Sequence, residues 1–202
     1  MIKKILITTG IFPPDIGGPA TYSALLLKEL PKLGFEIKIL TYGDQWRVKN
    51  ELVYAVSKKW PKGLRHFFYF VKILLQGFNA DLILSADSSF GAALPSVIAG
   101  KILRKKVIVR VTGDYVWEQS QQHFGIKETI DEFQNKSYSW LVEFLWNLQG
   151  RVIKNAYLII TPSEYLKKIV NGWGVKDEKI KVIYNSFGIS FAGINSSRLS
   201  GD

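Results

Sequence analysis

Cysteine is absent from the 202 residues. That excludes disulfides, thiolate metal sites and a cysteine nucleophile. Histidine is almost as scarce. His66 and His123 are the only imidazoles, too few for a His-rich zinc site and a poor basis for a Ser-His-Asp triad. Long apolar runs are missing as well: no stretch reaches about 18 uninterrupted apolar residues, so no membrane-spanning helix is expected. The start does not read as a signal peptide, since Lys3 and Lys4 lead only into Ile5-Leu6-Ile7 before Pro13-Pro14-Asp15. These features together predict a cytoplasmic protein. Acids are under-represented too. There are 17 against 27 Lys and Arg, a net charge of +10, which favours an anionic partner: phosphate, nucleic acid or a membrane surface.

What is present is an ordinary globular balance, 47% hydrophobic and 22% charged, in a length that suits one domain. Apolar runs rich in β-branched residues alternate with helical spacing from end to end. Strands are predicted over Lys3 to Thr9, Glu36 to Tyr42, Leu52 to Ser57, Asp81 to Ala86, Lys106 to Thr112, Tyr157 to Thr161 and Lys181 to Tyr184. Helices are predicted over Ala20 to Leu33, Leu64 to Phe78, Phe90 to Arg104, Ser137 to Asn155 and Ser163 to Asn171, with Gly34 closing the first and Ser163 capping the last. Tyr115 to Lys136 reads as an irregular insert. Strands this apolar, separated by helices, imply a doubly wound, mostly parallel α/β sheet of about seven strands with helices on both faces. Residues 1–185 form the domain, and 186–202, rich in Ser, Gly and Asn, read as a linker or tail.

Ligands of such sheets bind beyond the carboxyl ends of the strands. Unusual residues gather there: Gly10 to Gly18 after the first strand, Gly43 and Asp44 after the second, Asp87 after the fourth, and Gly113 to Glu118 after the fifth. Gly17-Gly18 is the sharpest local signal. It directly precedes a helix, so backbone N–H groups there can approach a phosphate; the alternative is a tight strand-to-helix turn. The dinucleotide fingerprint G-x-G-x-x-G and the nucleotide-triphosphate P-loop are both absent, which argues against a dehydrogenase or kinase of those types.

IFPPDIGGPATYSALLLKEL followed by LGFEIKILTYGD resembles the opening of glycosyltransferase family 4, the retaining GT-B enzymes. RVTGDYVWEQ resembles the segment these enzymes place at their cleft, and LIITPSEYLKKIVNGWGV followed by KIKVIYNSF resembles the end of their N-terminal domain. The resemblance implies one Rossmann-like half of a GT-B fold. It implies an N-terminal half facing the acceptor, a glycan or lipid-linked saccharide of cell-envelope polysaccharide assembly. A second domain, missing here, would hold the nucleotide-sugar donor. Transfer would retain anomeric configuration and use no bound metal and no further cofactor. Gly17 and Gly18 carry over as the groups that reach the donor diphosphate. Many members have a histidine at the end of strand five, where this chain has Thr112 before Gly113; Thr112 and Asp114 are therefore the catalytic candidates, with a loop cap or structural carboxylate as the alternative for Asp114. Asp87, Gly113, Tyr115, Trp117 and Glu118 are the acceptor-side candidates. The chain ends where the second domain is expected to begin.

A basic and aromatic edge stands apart from these. Lys58, Lys59, Lys62 and Arg65 fall within eight residues around Trp60, beside a strongly apolar helix too short to span a bilayer. It reads either as an anionic membrane surface with Trp60 as interfacial anchor, placing the protein peripherally on the inner membrane face, or as a core helix with a solvated loop. Nucleic acid is not expected as a partner, because no recognition-helix, RNP or zinc-finger pattern occurs. Two rival readings remain beside sugar transfer: a noncatalytic membrane- or partner-binding module, and a sugar-nucleotide epimerase of similar architecture.

Overall fold

In the computed structural model, residues 2–44 and 52–185 are described; the expected linker at 186–202 lies outside them. Seven strands form one sheet: β1 (Lys4–Thr8), β2 (Glu36–Tyr42), β3 (Val53–Val56), β4 (Leu82–Ser85), β5 (Lys106–Arg110), β6 (Leu158–Thr161) and β7 (Ile180–Val182). Their order is β3-β2-β1-β4-β5-β6-β7 and every neighbouring pair is parallel. The chain steps from β1 outward to β3, then returns to β4 and builds in the other direction. The switch point lies between β1 and β4, where the loops leaving the two strands diverge.

The helices are α1 (Gly18–Glu29), α2 (Lys62–Phe78), α3 (Ala93–Leu103), α4 (Tyr115–His123), α5 (Ile130–Phe133), α6 (Trp140–Lys154) and α7 (Glu164–Gly172). Right-handed crossovers sort them by direction of travel. The step from β1 back to β2 puts α1 on one face, where Tyr22, Leu26 and Leu27 pack on Ile5, Ile7, Ile37 and Ile39. The remaining crossovers put α2, α3, α6 and α7 on the other, around Leu6, Tyr69, Ile73, Val97, Val109, Ile153 and Ile159. Burial on both faces is why β4 is apolar without alternation. At Gly100 a Cβ would collide with Val107, so this glycine sets how closely α3 approaches β5.

Several local expectations change. The first helix starts at Gly18 rather than Ala20 and stops at Glu29; Pro31 falls in a 3-10 turn over Leu30–Leu33, and Gly34 closes it at φ 84°. The second starts at Lys62, and the third only at Ala93. The insert is not irregular. It holds α4, capped by Asp114, and α5, opened by a capping box in which the Thr129 side chain accepts from the Glu132 amide and the Glu132 carboxylate accepts from the Thr129 amide. Ser163 caps α7 as expected, its hydroxyl accepting from the Leu166 amide.

Candidate functional site

A parallel sheet gathers the carboxyl ends of its strands on one rim, and the amino ends of its crossover helices point there too. On the β1–β4 side Asp87 ties two loops together. Its Oδ2 accepts from the Gly10 amide at 2.8 Å and its Oδ1 from the Ser89 amide at 3.0 Å, with the Ser89 and Thr9 hydroxyls adding two further bonds. Beneath it, the buried Tyr69 hydroxyl accepts from the Thr9 amide at 3.1 Å and lies 3.0 Å from the Leu40 carbonyl. Tyr42 stacks on Tyr69 at 4.2 Å. Burial pushes both phenols above their ordinary values.

The Tyr42 hydroxyl donates to the Gly91 carbonyl at 2.9 Å, so toward His66, 2.7 Å away, it can only accept. With the hydroxyl proton on the Gly91 carbonyl, a neutral His66 carries its own proton on Nδ1. Desolvation, then the Arg65 and Lys62 charges, lower the imidazole below its ordinary value. Nothing in the sequence marked His66. Its partner Tyr42 is the last residue of a strand, and the carbonyl that completes the relay lies in a loop 49 residues from Tyr42.

On the β5 side Asp114 is fully buried. Its Oδ1 accepts from the Trp117 amide at 3.1 Å and from Gln149 Nε2 at 2.9 Å; its Oδ2 accepts from Gln134 Nε2 at 2.9 Å. Each glutamine is held at its other end. Gln149 Oε1 accepts from the Val116 amide, and Gln134 Oε1 from Trp173 Nε1. The structure thus gives Asp114 the capping alternative. Trp117 is half-buried against this cluster, its indole N–H donating to the Glu128 carbonyl at 2.9 Å. Glu118 and Tyr115 remain at the rim. The Glu118 carboxylate lies over Gly113, where a Cβ would collide with it. Burial, then the Asp114 charge, raise Glu118. Tyr115 meets Phe90 edge-on at 5.3 Å, and the Asp87 and Glu118 charges add to burial in raising its phenol. The structure therefore brings Asp87, Tyr115 and Glu118 near one another; Thr112 stands exposed beside them.

Gly17 and Gly18 open α1 with no side-chain cap. A Cβ at Gly18 would meet nothing within 4 Å, and one at Gly17 only the tip of Ile11. Neither position has a left-handed backbone, so no turn geometry demands glycine there. One turn on, the Tyr22 ring lies 4.0 Å from the Arg110 guanidinium, which also donates from Nη2 to Asn185 at 2.8 Å. Arg110 is 5% exposed and its Nη1 is buried without a hydrogen-bond partner.

The basic edge is less uniform than its sequence. Lys58 is exposed and ion-paired with Asp15 at 2.5 Å. Lys59 and Lys62 are exposed, Arg65 is half-buried, and Trp60 packs at a tilt on Phe68. A cavity of about 640 Å³ lies here between Trp60, Phe68, Lys59 and Lys72, beside the rim and not over Gly17 or Asp114. Among the described residues, no three metal-ligating side chains converge.

The profile of Glycosyltransferase Family 4 matches residues 16–189. No curated protein matches the sequence. Solved structures share the fold. HepE of Anabaena with UDP and glucose is 17% identical, with a TM-score of 0.63 over 93% of this chain and 45% of its own. The lipopolysaccharide outer core galactosyltransferase WaaB is 14% identical, with a TM-score of 0.58 over 93% of this chain and 47% of its own. The UDP-GlcNAc 2-epimerase of Methanocaldococcus jannaschii is 12% identical, with a TM-score of 0.58 over 89% and 45%. The chain spans less than half the length of each of these structures.

Proposed function

The chain belongs to Glycosyltransferase Family 4, and from that premise we propose that it is the acceptor-side half of a retaining GT-B glycosyltransferase. The observation that carries this reading is Gly18. It is free of any packing or backbone reason to be glycine, yet it opens a helix at the rim. Here the absent side chain serves an approaching ligand. The amides of Gly18 and Ala20 belong to the first helical turn and have no intrahelical acceptor, and Pro19 between them contributes no donor. They would meet the diphosphate of a nucleotide-sugar donor held by a second domain, with the positive helix end stabilising charge on the leaving group. A uridine diphosphate sugar is the first donor to test, by analogy with the HepE complex. In this reading the amides and helix end do the work of a resident metal.

The acceptor, a glycan or lipid-linked saccharide, would lie along Asp87, Thr112, Gly113, Tyr115 and Glu118. Glu118, raised by burial, suits a group that orients an acceptor hydroxyl by holding or releasing a proton. Asp114 acts as the positioning residue that fixes α4 beneath Glu118. Half a site cannot orient two substrates, so residues 1–202 alone are expected to transfer no sugar.

The test is amide NMR of the chain titrated with UDP and with UDP-glucose. Weak binding should shift Gly17, Gly18 and Ala20 first. Gly18→Val should abolish those shifts while the unfolding temperature stays within about 2 °C, since the new side chain meets nothing. Shifts confined to another surface, or an unchanged response in Gly18→Val, would remove the diphosphate reading.

A further inference from the structure

Helix α2 is apolar on two opposite sides. Tyr69, Ile73 and Gly77 face the core and are buried. Leu64, Phe67, Phe68, Leu75 and Phe78, spaced at intervals of three, four and seven, line the other side in solvent. Phe67 is 59%, Leu75 65% and Phe78 70% exposed. The stripe runs the length of the helix, about 25 Å for its 17 residues. Trp60 extends it at one end. Ile98 and Ile102 of the neighbouring α3, both exposed, widen it at the other, where Leu103 packs onto Gly77. Single exposed apolar residues are ordinary, but five along one side of a single helix are not.

Charge identifies the occupant. Neither α2 nor α3 contains an acid. Lys59 and Lys62 flank the N-terminal end of the stripe, and Lys101 and Arg104 its C-terminal end; among the described residues none of the four has an acidic partner. Beyond the cavity beside Trp60 and Phe68, Phe67, Leu75 and Phe78 stand proud of the surface. A flat, deformable, anionic layer fits them. Among the described residues no helix is long and apolar enough to cross a membrane, so contact through α2 would be by a helix lying in the interface.

We propose that the α2–α3 face docks on an anionic lipid bilayer, with the apolar stripe seated among the headgroups and the four cations around it. α2 begins at the rim, so docking would hold the candidate acceptor groups next to the lipid surface. The proposal stands independently of sugar transfer, because its readout is binding to lipid.

The experiment is co-sedimentation of the 202-residue chain with vesicles of equal parts phosphatidylglycerol and phosphatidylcholine, and with phosphatidylcholine alone. Binding should favour the anionic vesicles. It should weaken as salt rises from ~0.1 to ~1 M and the Debye length falls from about 10 to about 3 Å. Leu75→Gln with Phe78→Gln should lower affinity about tenfold, through lost apolar burial. Lys59→Gln with Lys62→Gln should remove much of the salt-sensitive part, about tenfold at low salt. All four side chains are exposed, so far-UV circular dichroism and thermal unfolding should match the parent. Equal binding to both vesicles, or none to either, overturns the proposal. So does a folded Leu75→Gln, Phe78→Gln variant that binds as the parent does. Sedimentation velocity without lipid covers the remaining occupant: a dimer that this variant converts to a monomer would assign the stripe to a second copy and overturn the proposal too.

Discussion

Asp87 and Asp114 follow neighbouring strands of one parallel sheet, and both are nearly out of reach of water, at 8% and 0% exposure. Among the described residues neither has an ion-paired cation. What differs is the kind of donor that holds them. Asp87 is met by two backbone amides and two hydroxyls, and a hydroxyl can turn from donor to acceptor. Asp114 is met by a backbone amide and two glutamine NH2 groups, and neither glutamine can flip, because Val116 N–H and Trp173 Nε1–H, which can only donate, occupy their oxygens. The polarity of the second network is therefore locked from Trp173 through Gln134 to Asp114, and from Val116 through Gln149 to the same carboxylate. One aspartate joins two loops adaptably at the switch point. The other fastens α4, α5, α6 and the end of α7 into one body.

The difference can be broken most severely at Asp114. Asp114→Ala strands three donors, one of them the Gln149 amide deep in the domain and another the half-buried Gln134 amide. It should cost about 3 kcal/mol or more, read by urea unfolding. Asp87→Ala, whose hydroxyl partners can reorient, should cost about half of that. A loss at Asp87 equal to that at Asp114 would show that the type of donor does not decide the outcome.

A sharper form keeps the volume and removes only the charge. In Asp114→Asn the new NH2 faces the NH2 of Gln134 or of Gln149, and neither can turn away without losing its outer partner. The expected cost is about 2 kcal/mol. In Asp87→Asn the NH2 can point at the Ser89 hydroxyl, which accepts, and the cost should fall below about 1 kcal/mol. Combining Asp114→Asn with Gln134→Glu would supply the missing acceptor on the Asp114 side. Recovery in that pair, at a pH where the new carboxyl is ionised and accepts both from Trp173 Nε1–H and from the new amide at position 114, would locate the defect in the locked chain.

The smallest effect is electrostatic. Burial and, second to it, the Asp114 charge hold Glu118 above the ordinary glutamate value. The folded state thus binds the proton more tightly than the unfolded chain does. The associated stability is fully present below the ordinary glutamate pKa and is lost as pH rises through the raised one. Glu118→Gln should flatten that decline in a pH series of unfolding curves. Carboxyl NMR titration of Glu118 in Asp114→Asn should show its pKa moving part of the way down, with the burial contribution remaining. The same titration in Asp87→Asn should change less, because the Asp87 charge is not among the causes of the Glu118 shift.

The sequence conveyed the sheet well because strand and helix periodicities differ and each buried strand is short, apolar and β-branched. All seven strands and the start of the α7 cap fall where those signals put them. It also pointed to Asp87 and Asp114, as carboxylates just past a strand. It did not separate their roles, since the residues that do so, Ser89, Gln134 and Gln149, lie 2, 20 and 35 positions away. One signal was there to use: Gln149 sits on the same stripe of α6 as Val142, Val152 and Ile153, and a glutamine on a buried helical face requires partners. α4 and α5 were obscured by their polarity, although Thr129-x-x-Glu132 is a readable capping box. The outer stripe of α2 was legible as apolar residues but not as exposed ones, because periodicity alone does not tell a core-facing side from an uncovered one. The ion pair between Lys58 and Asp15 spans 43 positions and left no local trace.

Arg110 links parts of the chain that are far apart in sequence. Its planar head rests on Tyr22 in α1 while one nitrogen grips Asn185, just past β7. β6 lies between the two strands involved, so the tether reaches across it. The other nitrogen, Nη1, has no hydrogen-bond partner and no contact with water, so releasing Asn185 would strip the buried cation further and cost more than breaking an exposed bond. Any pull on the backbone at Asn185 must either rupture that bond or drag the guanidinium across the Tyr22 ring. Through this one side chain the start of α1 and the segment past the last strand are joined directly, without a contact through β6.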